Sequence, residues 1–99
     1  MAYEVAFAES VQEHLRVLTT RERATVLDAI DRQLLHQPLN ETRNRKPLRP
    51  NPVAPWEFRV GQLRVFYEVV GNETGVVRIL AVGRKLRDTL TIGGKEIRL

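Results

Sequence analysis

Apolar side chains near the start of the chain change from a spacing of two residues to a spacing of three or four. Residues 3–7 place every second side chain on one aromatic and apolar face, which is typical of a strand. Residues 8–18 place Val11, Leu15 and Leu18 on one helical stripe. The pattern therefore predicts a strand followed by a helix.

A second helix is predicted to begin at Thr19. Thr19 and Glu22 have the spacing of a capping box, in which each side chain accepts a hydrogen bond from the other residue's backbone N–H. Pro38 ends this helix, because proline lacks the N–H that a helix interior needs. The predicted apolar face consists of Val26, Leu27, Ile30 and Leu34. Two amphipathic helices joined by a residue or two predict an antiparallel helical hairpin.

Residues 56–69 alternate on both sides of Gly61-Gln62 and predict a β-hairpin. A Gly-X pair suits a two-residue type II′ turn. With this turn, Arg59 lies directly opposite Arg64 on one face of the sheet.

The remaining segments contain connectors and further strands. Residues 38–55 hold all five prolines and predict a long irregular connector. The apolar run at residues 76–82 predicts a strand covered on both faces and ended by Gly83. Turns are predicted at residues 71–75 and at Gly93-Gly94, the second within a small terminal hairpin.

Composition restricts the class of protein. The 99 residues, 42% hydrophobic and 28% charged, are expected to form one soluble globular domain over residues 1–99. The absence of cysteine excludes disulfides and fits a reducing cytoplasm. No apolar run approaches the ~20 residues of a membrane helix, and the first ten residues do not resemble a signal peptide. We therefore expect a cytoplasmic protein with no membrane partner.

The net charge of +4 is distributed unevenly. Residues 38–64 carry six cationic and two acidic side chains, and residues 83–99 carry five and two. Residues 1–37 are mildly acidic. Such segregation is typical of proteins that bind nucleic acids, although it also occurs in basic proteins with no such partner.

The pairing of Arg59 with Arg64 has two interpretations. Like charges across a pair of strands cost roughly 0.2–1 kcal/mol, and a nucleic-acid backbone would turn that cost into binding energy. Guanidinium groups bind phosphate bidentately and can stabilise a phosphorane-like transition state. Alternatively, Glu57 lies diagonal to Arg64 and neutralises the pair.

Few other side chains offer chemistry. RNA supplies its own nucleophile, the 2′-hydroxyl, so a protein that cleaves RNA needs phosphate clamps and a proton carrier. Glu57, Glu68 and Lys85 are candidate carriers, or they have structural and electrostatic roles. No motif or ligand spacing indicates a cofactor or a metal ion, and no serine-hydrolase pattern is present.

Phe66 also has two interpretations. Alternation places it on the face of Arg59 and Arg64, where it could stack on an unpaired base, or else it packs under the proline-rich connector. Trp56 and Tyr67 belong to the opposite face and are predicted to be core residues.

The order of these elements and the sequence of residues 56–85 resemble the RelE/ParE superfamily of bacterial toxins. The resemblance is carried by WEFRVGQLRVFYEV in the hairpin and by VVRILAVGRK in the following strand. It implies an α+β fold: an N-terminal strand, an antiparallel helical hairpin packed on a small antiparallel sheet, and a short C-terminal hairpin or strand. It also implies a cognate antitoxin that wraps the toxin and masks its basic face.

Two activities are implied by the resemblance. RelE-like members cleave mRNA in the ribosomal A site, whereas ParE-like members poison DNA gyrase. On the RelE pattern, Arg59 and Arg64 would clamp the scissile phosphate, and Arg84 and Lys85 would hold the flanking backbone. RNA contacts are assigned to Arg43, Arg45, Lys46, Arg49, Phe66 and Arg87.

Two positions depart from the RelE pattern. Glu57 stands where the first basic residue of the hairpin is expected and could act as the base, and Thr91 stands near the C-terminal tyrosine position. We expect a ribosome-dependent mRNA endonuclease toxin. The alternatives are a gyrase inhibitor without nuclease chemistry, or a toxin-fold protein that only binds its antitoxin and regulates its operon.

Overall fold

The computed structural model describes residues 3–71 and 75–99, which form helices on one face of a seven-stranded sheet. The strands are β1 (Glu4–Phe7), β2 (Arg45–Pro47), β3 (Trp56–Val60), β4 (Leu63–Val70), β5 (Val76–Leu86), β6 (Thr89–Ile92) and β7 (Lys95–Ile97). The helices are α1 (Val11–Arg16) and α2 (Thr20–Ala29), and α2 continues into a π-helical segment, Ile30–Leu34. The predicted α+β fold is confirmed.

The long strand β5 organises the sheet. Strands β2 to β7 are antiparallel neighbours in chain order, while β1 pairs with β5 in parallel. On that edge of β5, pairing with β1 ends at Ile79, and pairing with β6 begins at Gly83, which lies opposite Ile92 at the end of β6. The backbone N–H of Val82, in the gap between them, instead donates to Nδ1 of His14 on α1 at 3.3 Å. A side chain from α1 thus fills the space between two partner strands.

The predicted capping box is present at the start of α2. The Glu22 N–H donates to Thr19 Oγ1 at 3.1 Å, and the Thr19 N–H donates to Glu22 Oε1 at 2.9 Å. α1 begins at Val11, later than predicted. Leu27 was wrongly assigned to the apolar face, since it is 38% exposed.

The main core lies between the helices and the sheet. Tyr67 is fully buried there, stacks on Trp56 with ring centroids 6.0 Å apart, and donates its hydroxyl to the Pro38 carbonyl at 2.6 Å. Burial raises the pKa of Tyr67. Both aromatic residues therefore belong to the core, as predicted.

The central hairpin has the predicted register. Gly61 has φ +60°, as the first central position of a type II′ turn requires, and Arg59 pairs with Arg64 across the two strands. The terminal hairpin of β6 and β7 is also confirmed. Residues 72–74 of the predicted turn at 71–75 lie outside the described residues.

Two predictions about strands were wrong. The proline-rich connector contains a short edge strand, β2, which pairs with β3. Gly83 does not end β5, which runs on to Leu86. A Cβ atom at Gly83 would collide with the Thr91 carbonyl, so glycine allows β6 to approach β5 closely.

Among the described residues, no helix is long and apolar enough to cross a membrane.

Candidate functional site

Strand alternation divides the candidate residues between the two faces of the sheet. Glu57, Arg59 and Arg64 lie on the face opposite the helices, here called the open face, because their register neighbours Phe58 and Val65 point into the helix-side core. Because β5 continues past Gly83, alternation places Lys85 on the open face and Arg84 on the helix face.

Three charged side chains form a cluster on the open face. Arg59 Nε donates to Glu57 Oε1 at 3.0 Å, and Arg64 Nε lies 3.9 Å from the same oxygen. The Glu57 side chain is only 8% exposed, that of Arg64 13%, and that of Arg59 39%. Glu57 therefore neutralises much of the arginine pair, and Arg59 is the guanidinium that solvent or a ligand can reach.

Arg64 is held by the hairpin itself. Its Nη1 donates to the carbonyls of Gly61 at 2.8 Å and Leu63 at 2.9 Å. Burial lowers the pKa of Arg64, as does the nearby Arg59 charge, whereas Glu57 raises it. An arginine remains charged at neutral pH even so. Arg64 therefore supplies a fixed, largely inaccessible positive charge beside Glu57.

A cleft of about 470 Å³ lies between Glu57 and the C-terminal strands, and neither Arg59 nor Arg64 is among the residues that line it. Glu57 and Lys85 both line it, with Asp88, Glu96 and Arg98 among the other lining residues. The structure thus brings together the predicted proton carriers Glu57 and Lys85. Glu68 lies elsewhere on the open face, paired with Arg78 at 2.7 Å.

Arg84 is not part of this site. It pairs in register with Leu63, whose side chain lies in the helix-side core. Its Nε donates to Glu22 Oε2 at 3.2 Å and its Nη2 to Glu22 Oε1. The Thr19 hydrogen bond, followed by that from Arg84, holds the pKa of Glu22 below its ordinary value. The expected role of Arg84 beside the phosphate is therefore corrected to a link between β5 and α2.

Two of the expected RNA contacts are also corrected. Phe66 is fully buried in a second cluster with Ala54 and Ala81, against which Leu48 and Val53 of the connector pack. It has no free ring face for a base. Arg45 lies on the helix face, where its Nη1 donates to the Gln33 carbonyl at 2.9 Å.

The other expected RNA contacts are accessible to different degrees. Arg43, Arg49 and Arg87 are exposed, and Lys46 is half-buried opposite Glu57 on the open face. Arg87 has φ +57° in the turn between β5 and β6, a strained conformation for a residue other than glycine. Thr91, near the expected tyrosine position, pairs with Arg84.

Several contributing residues were missed by sequence reasoning. The capping box identified Glu22 as a cap, but nothing local indicated its partner 62 residues away. Asp88 and Arg98 line the cleft only because the terminal hairpin folds beside Lys85.

Comparison with known proteins supports the fold and the family. A family model described as ParE toxin of type II toxin-antitoxin system, parDE, matches residues 5–89. A chain of the crystal structure of the toxin–antitoxin complex RelBE2 from Mycobacterium tuberculosis superposes with a TM-score of 0.72 at 29% identity, covering 86% of this chain and 100% of that one. No curated protein sequence gives a significant match. Since the family model covers most of the chain, this protein belongs to the ParE toxin family of type II toxin–antitoxin systems, within the RelE/ParE superfamily.

Proposed function

We propose that this toxin cleaves mRNA on the ribosome with the open face of its sheet and thereby blocks translation. The observation that supports the proposal is Glu57, a nearly buried carboxylate that lines a cleft beside two guanidinium groups. Burying ions costs several kcal/mol each, so such a cluster is a poor source of stability. A cleft into which a few polar groups converge is more typical of a functional site.

The proposed reaction uses the RNA 2′-hydroxyl as the nucleophile. Glu57 accepts its proton while O2′ forms a bond to phosphorus and the P–O5′ bond breaks. The products are a 2′,3′-cyclic phosphate and a 5′-hydroxyl, whose proton comes from Lys85. Arg59 contacts the phosphate, and Arg64 supplies a fixed positive charge beside Glu57. A positioned general base contributes about 10²- to 10⁴-fold to the rate of such a step.

A cognate antitoxin is part of the proposal. The solved structure of similar fold is a toxin–antitoxin complex. We expect the partner of this chain to be a small protein that covers the basic part of the open face. Expression of the chain alone should arrest growth, and co-expression of the antitoxin should restore it.

The cleavage proposal is tested by translation in vitro. Purified protein should stop translation and create new mRNA 5′ ends within A-site codons, and Glu57→Ala should reduce cleavage at least ~100-fold. Glu68→Ala, which removes another carboxylate from the same face, is the matched control and should retain cleavage. Intact mRNA during arrest by the wild-type protein would reject the chemical step.

Inhibition of DNA gyrase is the second candidate. Two observations favour it. The side chains of His14 and Tyr67 make their hydrogen bonds on the helix side of the sheet, away from the cleft. The lining of the cleft also holds more carboxylates than cations. A supercoiling assay separates the two activities. Inhibition of gyrase by the wild type and by Glu57→Ala alike, with mRNA left intact, would favour this candidate.

A further inference from the structure

We infer that Glu57 is a built-in counter-ion, which occupies the phosphate position on Arg59 at rest and moves to Arg64 when an RNA phosphate binds. The inference rests on the proposed function, because it requires a phosphodiester at the open face. It adds that the protein regulates its own affinity for polyanions through one carboxylate.

The contacts of Glu57 with the two arginines are unequal. Its Oε1 accepts a hydrogen bond from Arg59 Nε at 3.0 Å but lies 3.9 Å from Arg64 Nε, too far for a hydrogen bond. Arg64 Nε is buried and has no hydrogen-bond partner among the described residues. A shift of the carboxylate by roughly 1 Å would satisfy this donor.

The two arginines also differ in freedom. Arg64 is anchored through Nη1 to the carbonyls of Gly61 and Leu63 and is 13% exposed. Arg59 is 39% exposed, and in the described part of the chain Glu57 is the single hydrogen-bond partner of its side chain. An incoming anion therefore reaches Arg59 first, while Arg64 stays in position.

This arrangement allows Arg59 to exchange Glu57 for a phosphate without leaving the Glu57 carboxylate unpaired. The phosphate replaces Glu57 on Arg59, with the bidentate geometry that guanidinium groups favour. Glu57 keeps a cationic partner, because Arg64 Nε lies next to it with no other acceptor in the described chain. A buried carboxylate that lost its partner entirely would be strongly unfavourable. At rest, the occupied Arg59 contributes little to non-specific binding of polyanions.

The test measures binding of a 2′-O-methyl RNA oligonucleotide, which lacks the nucleophile, over a series of salt concentrations. Glu57→Gln should bind about tenfold more tightly than the wild type at low salt, because Arg59 becomes available. The slope of log K against log salt should steepen by about 0.7, the value for one more phosphate contact on a single strand.

Glu68→Gln is the matched control. It also removes one negative charge from the open face, where Glu68 pairs with Arg78. It should leave the salt slope unchanged. Equal gains in both variants would mean that net charge alone sets the affinity, and this would overturn the inference.

Arg59→Ala separates this inference from the proposed function. One possible result is that the wild type binds RNA and that Arg59→Ala weakens this binding, but that Glu57→Gln does not tighten it. In that case the counter-ion inference fails, while the proposed RNA site stands. If the wild type leaves mRNA intact during translation arrest while Glu57→Gln, unlike Glu68→Gln, still tightens binding of the oligonucleotide, the proposed function fails and the counter-ion role stands.

A second measurement covers the case in which Glu57→Gln is poorly stable. Inorganic phosphate should raise the Tm of Glu57→Gln more than that of the wild type, because the oxyanion takes the place of the missing carboxylate. An equal response to phosphate in the two proteins would overturn the inference.

Discussion

The ion pair between Arg84 and Glu22 offers a direct test of the conclusion that Arg84 is structural. Two nitrogens of Arg84 donate to the two carboxylate oxygens of Glu22, and Oε1 also accepts the Thr19 N–H. Both charged side chains are 28% exposed. Replacing Arg84 with alanine removes the link between β5 and the N-terminus of α2 and leaves the capping box in place.

The expected loss lies between that of a surface pair and that of a buried pair. Exposed ion pairs contribute about 0.2–1 kcal/mol, and bidentate charge-assisted hydrogen bonds contribute more. We expect Arg84→Ala to lower the free energy of unfolding by about 1–2 kcal/mol. For a domain of this size each kcal/mol lowers the Tm by about 4–8 °C.

A double-mutant cycle with Glu22→Gln isolates the pair. Glutamine also serves in a capping box, so Glu22→Gln removes the charge but not the cap. Urea unfolding followed by the fluorescence of Trp56 gives the four free energies of unfolding. We expect a coupling energy of about 1 kcal/mol between Arg84 and Glu22.

The coupling should depend on pH in a defined direction. The folded state lowers the pKa of Glu22 below its ordinary value of 4.5. A carboxyl with a lowered pKa stabilises the fold fully above the unfolded value, and this contribution is lost as pH falls through the folded pKa. The cycle should therefore give a smaller coupling once the pH is well below 4.5.

Two results would refute this reasoning. A coupling energy near zero at neutral pH would show that the pair adds no stability. An Arg84→Ala protein that unfolds like the wild type but has lost its toxicity would assign Arg84 to the proposed functional site.

Three further predictions concern stability. Burial lowers the pKa of His14 despite the opposing charge of Glu13, so the folded protein should lose stability as pH falls below about 6.5. His14→Asn should remove this pH dependence while keeping an acceptor for the Val82 N–H. If the variant had the same pH profile as the wild type in urea unfolding, this prediction would be wrong. Tyr67→Phe leaves the buried Pro38 carbonyl without its donor and should cost about 1–3 kcal/mol in the same assay, so a loss near zero would count against that hydrogen bond. Arg87→Gly relieves the left-handed backbone and should raise stability by about 0.5–1 kcal/mol while weakening the proposed RNA binding. A loss of stability would rule out strain at this turn.

Local chemistry accounts for the features that the sequence predicted correctly. Gly61-Gln62 sets the hairpin turn, and a two-residue turn leaves one register, so the pairing of Arg59 with Arg64 followed without knowledge of the fold. The Thr19 capping box depends on atoms within one turn of helix and was equally predictable.

Longer-range features could not be predicted in this way. Whether β5 ended at Gly83 depended on how closely β6 approaches it, and that decided the faces on which Arg84 and Lys85 lie. The burial of Phe66 depended on where the connector folds, since its prolines fix local backbone but not its destination.

The sequence by itself determined which residues pair across the hairpin, because turn geometry and alternation act over a few residues. The tertiary structure alone decided which charged side chains remain accessible to solvent. Glu57 could have stayed in water beside its arginines, but the packed sheet buries it between them and joins it to the cleft of Lys85. Ion pairs are weak, and a sequence does not show which opposite charges will pair. The packing around the charged side chains fixes their partners.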